Sequence, residues 1–218
     1  MKSLILKDLY NIGHNAKSML FMLLIFALFF VPRDGAESYI IISGILCSMM
    51  VITTFSFDEN SKWNKYAMVM PVSKKDLVAS KFMVLLIFSA IGAVAGLLIG
   101  VIGTVIVGKI DYGNWDGIVT LIGSTLGSLV IAEVFGSVSI PLLFKFGAEK
   151  ARVLSLVAIL VPVGICFGIY QLIQILGITV TDNMVLILLC CSPILGALWT
   201  YLMYRISYSI FRNKENFY

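Results

Sequence analysis

The sequence is poor in charged residues. Asp, Glu, Lys and Arg make up only 13% of its 218 residues, whereas 60% are hydrophobic. Soluble domains carry about a quarter charged residues, which they need to cover a surface that faces water. The composition therefore excludes a soluble globular protein and predicts an integral membrane protein. The net charge of +4 is too small to indicate nucleic-acid binding.

Histidine and cysteine are also scarce. The single histidine, His14, lies near the end of the N-terminal segment, residues 1–17, and is interpreted as an interfacial polar residue. The four cysteines lack metal-type spacing and all lie in apolar runs, which is typical of small apolar side chains: Cys47, Cys166, Cys190 and Cys191. Neither a catalytic residue nor a metal site is predicted.

Long apolar runs fill most of the chain. Six of them are predicted to span a membrane, at residues 18–31, 39–57, 82–107, 118–144, 153–176 and 184–204. The first is shorter than the roughly 17–25 residues that a span needs. In the third, Gly92, Gly96, Gly100 and Gly103 recur at three- or four-residue spacing, which predicts a close contact with another helix. Before it, residues 1–17 place apolar side chains at helical spacing, which predicts an interfacial amphipathic helix. The prediction is a single all-α membrane domain over residues 1–218.

The basic residues fall on one side of this predicted topology. With six spans, the termini and the two larger loops, residues 57–82 and 145–152, share one side. That side contains every Lys and Arg except Arg33 and Lys109. The positive-inside rule then places both termini and both loops of this multi-pass cell-membrane protein in the cytoplasm.

The long polar loop at residues 58–81 is predicted to contain two helical pieces separated by Pro71. Ser73 is the expected N-cap of the second piece, with Asp76 three residues later. Trp63 and Tyr66, three residues apart, are predicted to share one helical face. The loop is interpreted as a docking element for a partner, although a solvated loop with a basic face against anionic lipid stays an alternative. The candidate contact residues are Asp58, Glu59, Trp63, Tyr66, Pro71, Ser73, Lys74, Lys75 and Asp76.

Three segments carry a resemblance to a known family. They are the opening from Lys2 to Tyr10, residues 140–152, and a series in the long loop: Asp58, Glu59, Trp63, Pro71, Ser73, Lys74 and Lys81. In this order they resemble ABC-2 type transporter permeases, in particular the small six-span permeases of Gram-positive bacteria. Within that group the chain resembles permeases that export amphipathic peptides such as phenol-soluble modulins.

This resemblance implies a non-catalytic permease subunit that pairs with a second permease, either another copy or a sister chain. Two ATPase subunits would hold ATP and magnesium, and this chain would hold no cofactor. Residues 58–81 would form the coupling helix of an exporter of hydrophobic or amphipathic molecules. The resemblance adds a second cytoplasmic contact: Lys145, Gly147, Glu149, Lys150 and Arg152.

An apparent phosphate-binding loop does not change this expectation. Gly103, Gly108 and Lys109 have the spacing of a P-loop, but Ile110 replaces the Ser or Thr that would bind magnesium. The residues between the glycines end an apolar helix, whereas a P-loop connects a strand to a helix. We expect any nucleotide to bind to a partner.

Glu133 lies in the middle of the fourth predicted span. An ionisable side chain there costs roughly 2.5 kcal/mol or more and is expected to face protein or water. It would line the translocation path or a dimer interface and meet a cationic substrate. Alternatively, it is protonated or hydrogen-bonded and serves only helix packing. The polar residues expected near it are Ser128, Ser137, Gln171 and Gln174.

Two other functions remain open from the sequence. One is a non-transport membrane protein, such as an immunity or sensor protein, whose basic loop binds lipid or a partner. The other is a membrane enzyme that acts on lipid. The enzyme lacks support, because no cluster of His with Ser, Asp or Glu faces a common site.

Overall fold

The structure is a computed structural model that describes residues 2–13, 15–69, 73–108, 115–158, 160–175 and 182–213. Within these ranges the regular elements are all α-helices. In chain order they are α1 (Lys2–Gly13), α2 (Ala16–Ser48), α3 (Met50–Asn60), α4 (Trp63–Val69), α5 (Lys74–Val107), α6 (Trp115–Phe146), α7 (Ala148–Ala158), α8 (Leu160–Ile175) and α9 (Asp182–Asn213). The all-α prediction is confirmed for the described part of the chain.

Gly35 divides α2 into two arms. Its φ of 83° and ψ of −178° are not helical, and this conformation favours glycine. The two arms fold back on each other, as a hydrogen bond of 3.0 Å from the Tyr39 hydroxyl to the Leu23 carbonyl shows. In a straight helix, residues 16 positions apart would be separated by about 24 Å. The first predicted span therefore lies in the first arm of α2, and the second runs from the second arm of α2 into α3.

The polar loop continues into the third predicted span without a break in the helix. The second helical piece of the loop and the span form one helix, α5, whose 34 residues extend for about 51 Å. Ser73 caps it as predicted, because its Oγ accepts a hydrogen bond from the Asp76 N–H at 3.1 Å. Neither Pro nor Gly interrupts α5 before Gly92, so the helix continues from the polar loop into the apolar run.

The glycines of α5 bring it close to the second arm of α2. A Cβ at Gly92 would lie 2.9 Å from the Ser43 carbonyl oxygen and 3.0 Å from the Gly44 Cα. The Ser43 hydroxyl donates a hydrogen bond to the Gly92 carbonyl at 2.9 Å across this contact. The small-residue spacing therefore correctly predicted a close helix contact.

Three described helical segments are long and apolar enough to span a membrane: Ala16–Asn60, Lys74–Val107 and Gly117–Phe146. The described part of the predicted fifth span lies in α7 and α8, and the sixth lies in α9. The loop at residues 145–152 is helical except at Gly147, with residues 145–146 in α6 and 148–152 in α7, whereas a loop was expected from the sequence. The total of six spans stays a prediction.

The segments that were assigned to the basic side meet at one end of the molecule. Leu4 of α1, Ala67 of α4, Ala148 of α7 and Phe211 of α9 are buried in one apolar cluster together with residues of α3, α5 and α6. We call this end, formed by α1, α4, α7 and the adjoining ends of α5 and α9, the basic end. At the opposite end, Val31 near the turn of α2 lies beside Gly103 of α5, where an added Cβ would be 3.0 Å from the Val31 Cγ1.

Candidate functional site

Two lysines and two aspartates form a closed ring where α1, α3 and α5 meet. The Lys81 Nζ lies 2.8 Å from Asp8 Oδ2 and 2.6 Å from Asp58 Oδ2. The Lys7 Nζ lies 3.1 Å from Asp8 Oδ1 and also pairs with Asp58 Oδ1. Each member therefore contacts both members of opposite charge. We call these four residues, Lys7, Asp8, Asp58 and Lys81, the ionic ring.

The ionic ring is buried but balanced. The side chains of Asp8, Asp58 and Lys81 are only 1%, 5% and 8% exposed. Such burial is costly unless opposite charges and further polar groups compensate, and here the charges sum to zero. The Lys81 Nζ also donates a hydrogen bond to the Thr54 hydroxyl at 3.2 Å. The ring therefore ties the surface helix α1 to both helices that flank the polar loop.

Two predicted docking residues are turned towards this ring. Asp58 is buried within the ionic ring. The Lys7 Nζ lies 4.4 Å from the centroid of the Trp63 indole, which is a cation–π contact. Tyr66 instead points outward with 63% of its surface exposed. Trp63 and Tyr66 therefore differ in their surroundings, and a partner contact through either of them stays a prediction.

Lys7 and Asp8 belong to the site but were not among the residues predicted from the sequence. A signal was present, because Leu4, Asp8 and Ile12 recur at four-residue spacing and form the buried face of α1. A carboxylate on the apolar face of an amphipathic helix requires a buried partner. An interfacial helix that faces only lipid, as predicted for residues 1–17, would offer Asp8 no such partner.

Glu59 connects the polar loop to the second predicted contact segment. Its Oε1 accepts a hydrogen bond at 2.8 Å from the backbone N–H of Ala148, in the first turn of α7. A carboxylate at a helix N-terminus satisfies a free donor and favours the helix dipole. Gly147 makes this approach possible, because its φ is 81° and a Cβ there would lie 2.8 Å from Glu59 Oε1.

A groove of about 360 Å³ lies between α3 and α7. Its rim carries most of the second predicted contact, including the exposed side chains of Glu149, Lys150 and Arg152. Lys145 is exposed nearby, with its Nζ 5.1 Å from the Phe146 ring. The structure therefore places the two predicted contact segments next to each other.

The paired lysines at the start of α5 contact α9. The Lys74 Nζ donates a hydrogen bond to the Arg212 carbonyl at 3.3 Å, and the Lys75 Nζ lies 5.8 Å from the Tyr208 ring. The two lysines therefore hold α9 against the start of α5 and also add positive charge to the basic end. Pro71 lies outside the described residues.

Glu133 lines a cavity of about 520 Å³ between α5, α6 and α9. Ser128 and Ser137 do not line this cavity. Both are buried, and their hydroxyls donate hydrogen bonds to the carbonyls of Ile40 and Val134, at 2.9 and 3.0 Å. Gln171 is exposed on α8 and does not line the cavity, and the side chain of Gln174 lies outside the described residues. Of the expected residues whose side chains the structure describes, only Glu133 therefore lines the cavity.

One known family matches almost the whole chain. The family model described as ABC-2 family transporter protein matches residues 3–212. The chain therefore belongs to the ABC-2 transporter family, and it is a membrane permease component of an ABC transporter. Such components are generally non-catalytic, and membership implies an ATPase partner. Searches of curated proteins and of solved structures gave no match.

Proposed function

We propose that this chain is the permease subunit of an ATP-driven exporter of hydrophobic or amphipathic molecules, including amphipathic peptides such as phenol-soluble modulins or antimicrobial peptides. The family match over residues 3–212 carries the proposal. Two ATPase subunits bind ATP and magnesium, and a second permease, identical or related, completes the complex. Both termini and the basic end face the cytoplasm, as the distribution of Lys and Arg indicates.

The exposed surfaces of α4 and α7 are the docking surface for the ATPase in this proposal. On α4, Tyr66 is 63% exposed and Val69 is 88% exposed. Exposed apolar and aromatic side chains that project from a charged surface are typical of anchors for a protein partner. On α7, Lys150 and Arg152 are exposed beside the groove. The proposal thus retains both predicted contact segments but assigns the α4 contact to its outward-facing residues.

The contacts behind this surface support a route for mechanical coupling. Movement of α4 reaches α3 and α5 through Trp63 and the ionic ring, because Asp58 and Lys81 belong to those helices. Movement of α7 reaches α3 through the hydrogen bond from Ala148 to Glu59. Since α5 continues unbroken from the polar loop through its apolar run, it can transmit a displacement at the basic end along its whole length.

We expect removal of the outward anchors to release the ATPase. In the double variant Tyr66→Ala/Val69→Ala, co-purification of an ATPase encoded beside this chain should fall by about tenfold or more, because an anchor of this kind contributes about 2 kcal/mol. The measurement is the ratio of ATPase to tagged permease after co-expression and purification in mild detergent.

Tyr10→Ala is the matched control, because Tyr10 is 73% exposed on α1 and lies outside the proposed docking surface. It should retain the ATPase. Full retention by the double variant would contradict the docking surface. A wild-type chain that purifies without any ATPase would instead favour a non-transport membrane protein whose basic end binds lipid.

A further inference from the structure

The cavity between α5, α6 and α9 combines an apolar wall with one carboxylate. Among the described residues that line it, Glu133 alone carries a formal charge. The side chains around it are mainly aliphatic or aromatic, and they include Phe82, Leu86, Leu126, Leu129 and Val130. An apolar site with few polar groups is the usual form of a small-molecule binding site.

Glu133 has no positively charged partner in the described part of the chain. The ion pairs there join Lys7, Lys81 and Arg33 to aspartates, and none involves Glu133. Gly196 of α9 leaves room beside the carboxylate, because a Cβ at this glycine would lie 3.6 Å from Glu133 Oε2. A carboxylate in an apolar membrane segment is costly without a counter-charge, and a cationic ligand would supply one.

Further polar groups lie in the same cavity. Thr200 lines it, and its buried Oγ1 has no hydrogen-bond partner among the described residues. Tyr201 and Tyr204 line it as well, and the face of a tyrosine ring attracts cations. A ligand with several N–H donors at a positive centre would satisfy both the carboxylate and the free hydroxyl oxygen.

The size and the rim of the cavity limit what can bind. Its volume of about 520 Å³ lies in the range that holds a small molecule. An amphipathic helix of about 20 residues would occupy roughly 2400 Å³, taken as a cylinder about 30 Å long and 10 Å wide. Leu86 and Tyr201 line the cavity and are 51% and 56% exposed, so the cavity is open on this side. Both residues belong to predicted spans, and the open side would therefore face the bilayer.

We propose that this cavity binds a lipophilic primary ammonium ion that enters from the bilayer. The ammonium group contacts Glu133 and Thr200, and the apolar body lies along Leu86 and Leu129. The role of this site, to receive a molecule that is to be exported, rests on the proposed export function. Binding itself requires neither ATP nor the ATPase.

The test uses the purified full chain in phosphatidylcholine nanodiscs. The probe is a long-chain primary alkylamine with a fluorophore at its far end, compared with its neutral N-acetylated analogue. We expect saturable binding of the amine and at least about tenfold weaker binding of the amide, the ratio that 1.4 kcal/mol produces. Glu133→Gln should abolish this difference, whereas Glu37→Gln, which removes an exposed carboxylate from α2, should preserve it.

A second pair of variants tests the location without changing any charge. Ala197→Trp fills the cavity and should weaken binding of the amine, whereas Leu198→Trp alters an exposed neighbour that does not line the cavity and should not. Equal binding of the amine and the amide would overturn the proposal, because the cavity would then hold acyl chains without regard to charge. Binding of neither probe would also overturn it, because protein would then cover the cavity. Either result, combined with normal ATPase co-purification, would refute the site and leave the proposed function intact.

Discussion

Asp58→Ala is expected to destabilise the protein by about 3–5 kcal/mol, the usual cost of removing one partner from a buried ion pair. The substitution would leave Lys7 and Lys81 to share the single carboxylate of Asp8 inside the ionic ring. The expected result is a much lower temperature of thermal aggregation in detergent, together with reduced accumulation in membranes.

The matched control is Asp34→Ala. Asp34 pairs with Arg33 at 3.9 Å, but the two side chains are 43% and 85% exposed, and exposed pairs contribute little. This variant should behave like the wild type. Asp58→Leu combined with Lys81→Met should recover much of the loss, because a neutral apolar pair removes the unpaired charge. Equal stability of Asp58→Ala and Asp34→Ala would contradict the buried ring.

Gly92→Ala should give the second largest effect. The added methyl group would approach the Ser43 carbonyl oxygen and the Gly44 Cα to 2.9 and 3.0 Å. Both are backbone atoms of the facing helix, so α2 and α5 would have to separate. Overpacking of this kind costs typically 1–3 kcal/mol, and we expect a clear fall in the temperature of thermal aggregation.

Gly127→Ala on α6 provides the comparison, because no atom lies within 4 Å of the added Cβ. It should be neutral or slightly stabilising, since alanine is the better helix former by about 1 kcal/mol. If the two substitutions shifted the aggregation temperature equally, the close contact at Gly92 would not exist in the membrane.

Local patterns predicted a substantial part of this structure. Ser73 was recognised as a helix cap because capping depends on residues three positions apart. The glycine spacing in α5 predicted a close helix contact because four-residue spacing places small side chains on one face. The turn near Gly35 falls between the first two predicted spans, where polar residues separate two apolar runs.

The pairings within the candidate site could not be predicted in the same way. Lys7 and Asp58 are 51 positions apart, and nothing local indicates that α1 packs beside α3. The orientation of Trp63 depends on that packing, because the Lys7 Nζ against its ring comes from α1. Polarity alone suggested an exposed Asp58, whereas neutralisation by two lysines permits its burial.

The residues expected around Glu133 show the same limit. Ser128 shares α6 with Glu133, but its hydroxyl binds the Ile40 carbonyl of α2. Thr200, which does line the cavity, lies on α9 and was not among the expected residues. Which helices enclose a cavity depends on how they pack, and helical spacing within one segment does not determine it.

The most direct test of the account is photo-crosslinking from the outer face of α4. A photoreactive phenylalanine analogue is placed at Tyr66 and, for comparison, at Ile106, which is 79% exposed near the opposite end of α5. In membranes that contain both subunits, the account predicts a crosslink to the ATPase from position 66 and none from position 106. A probe at position 66 that reaches only lipid, or that is accessible from outside the cell, would contradict it.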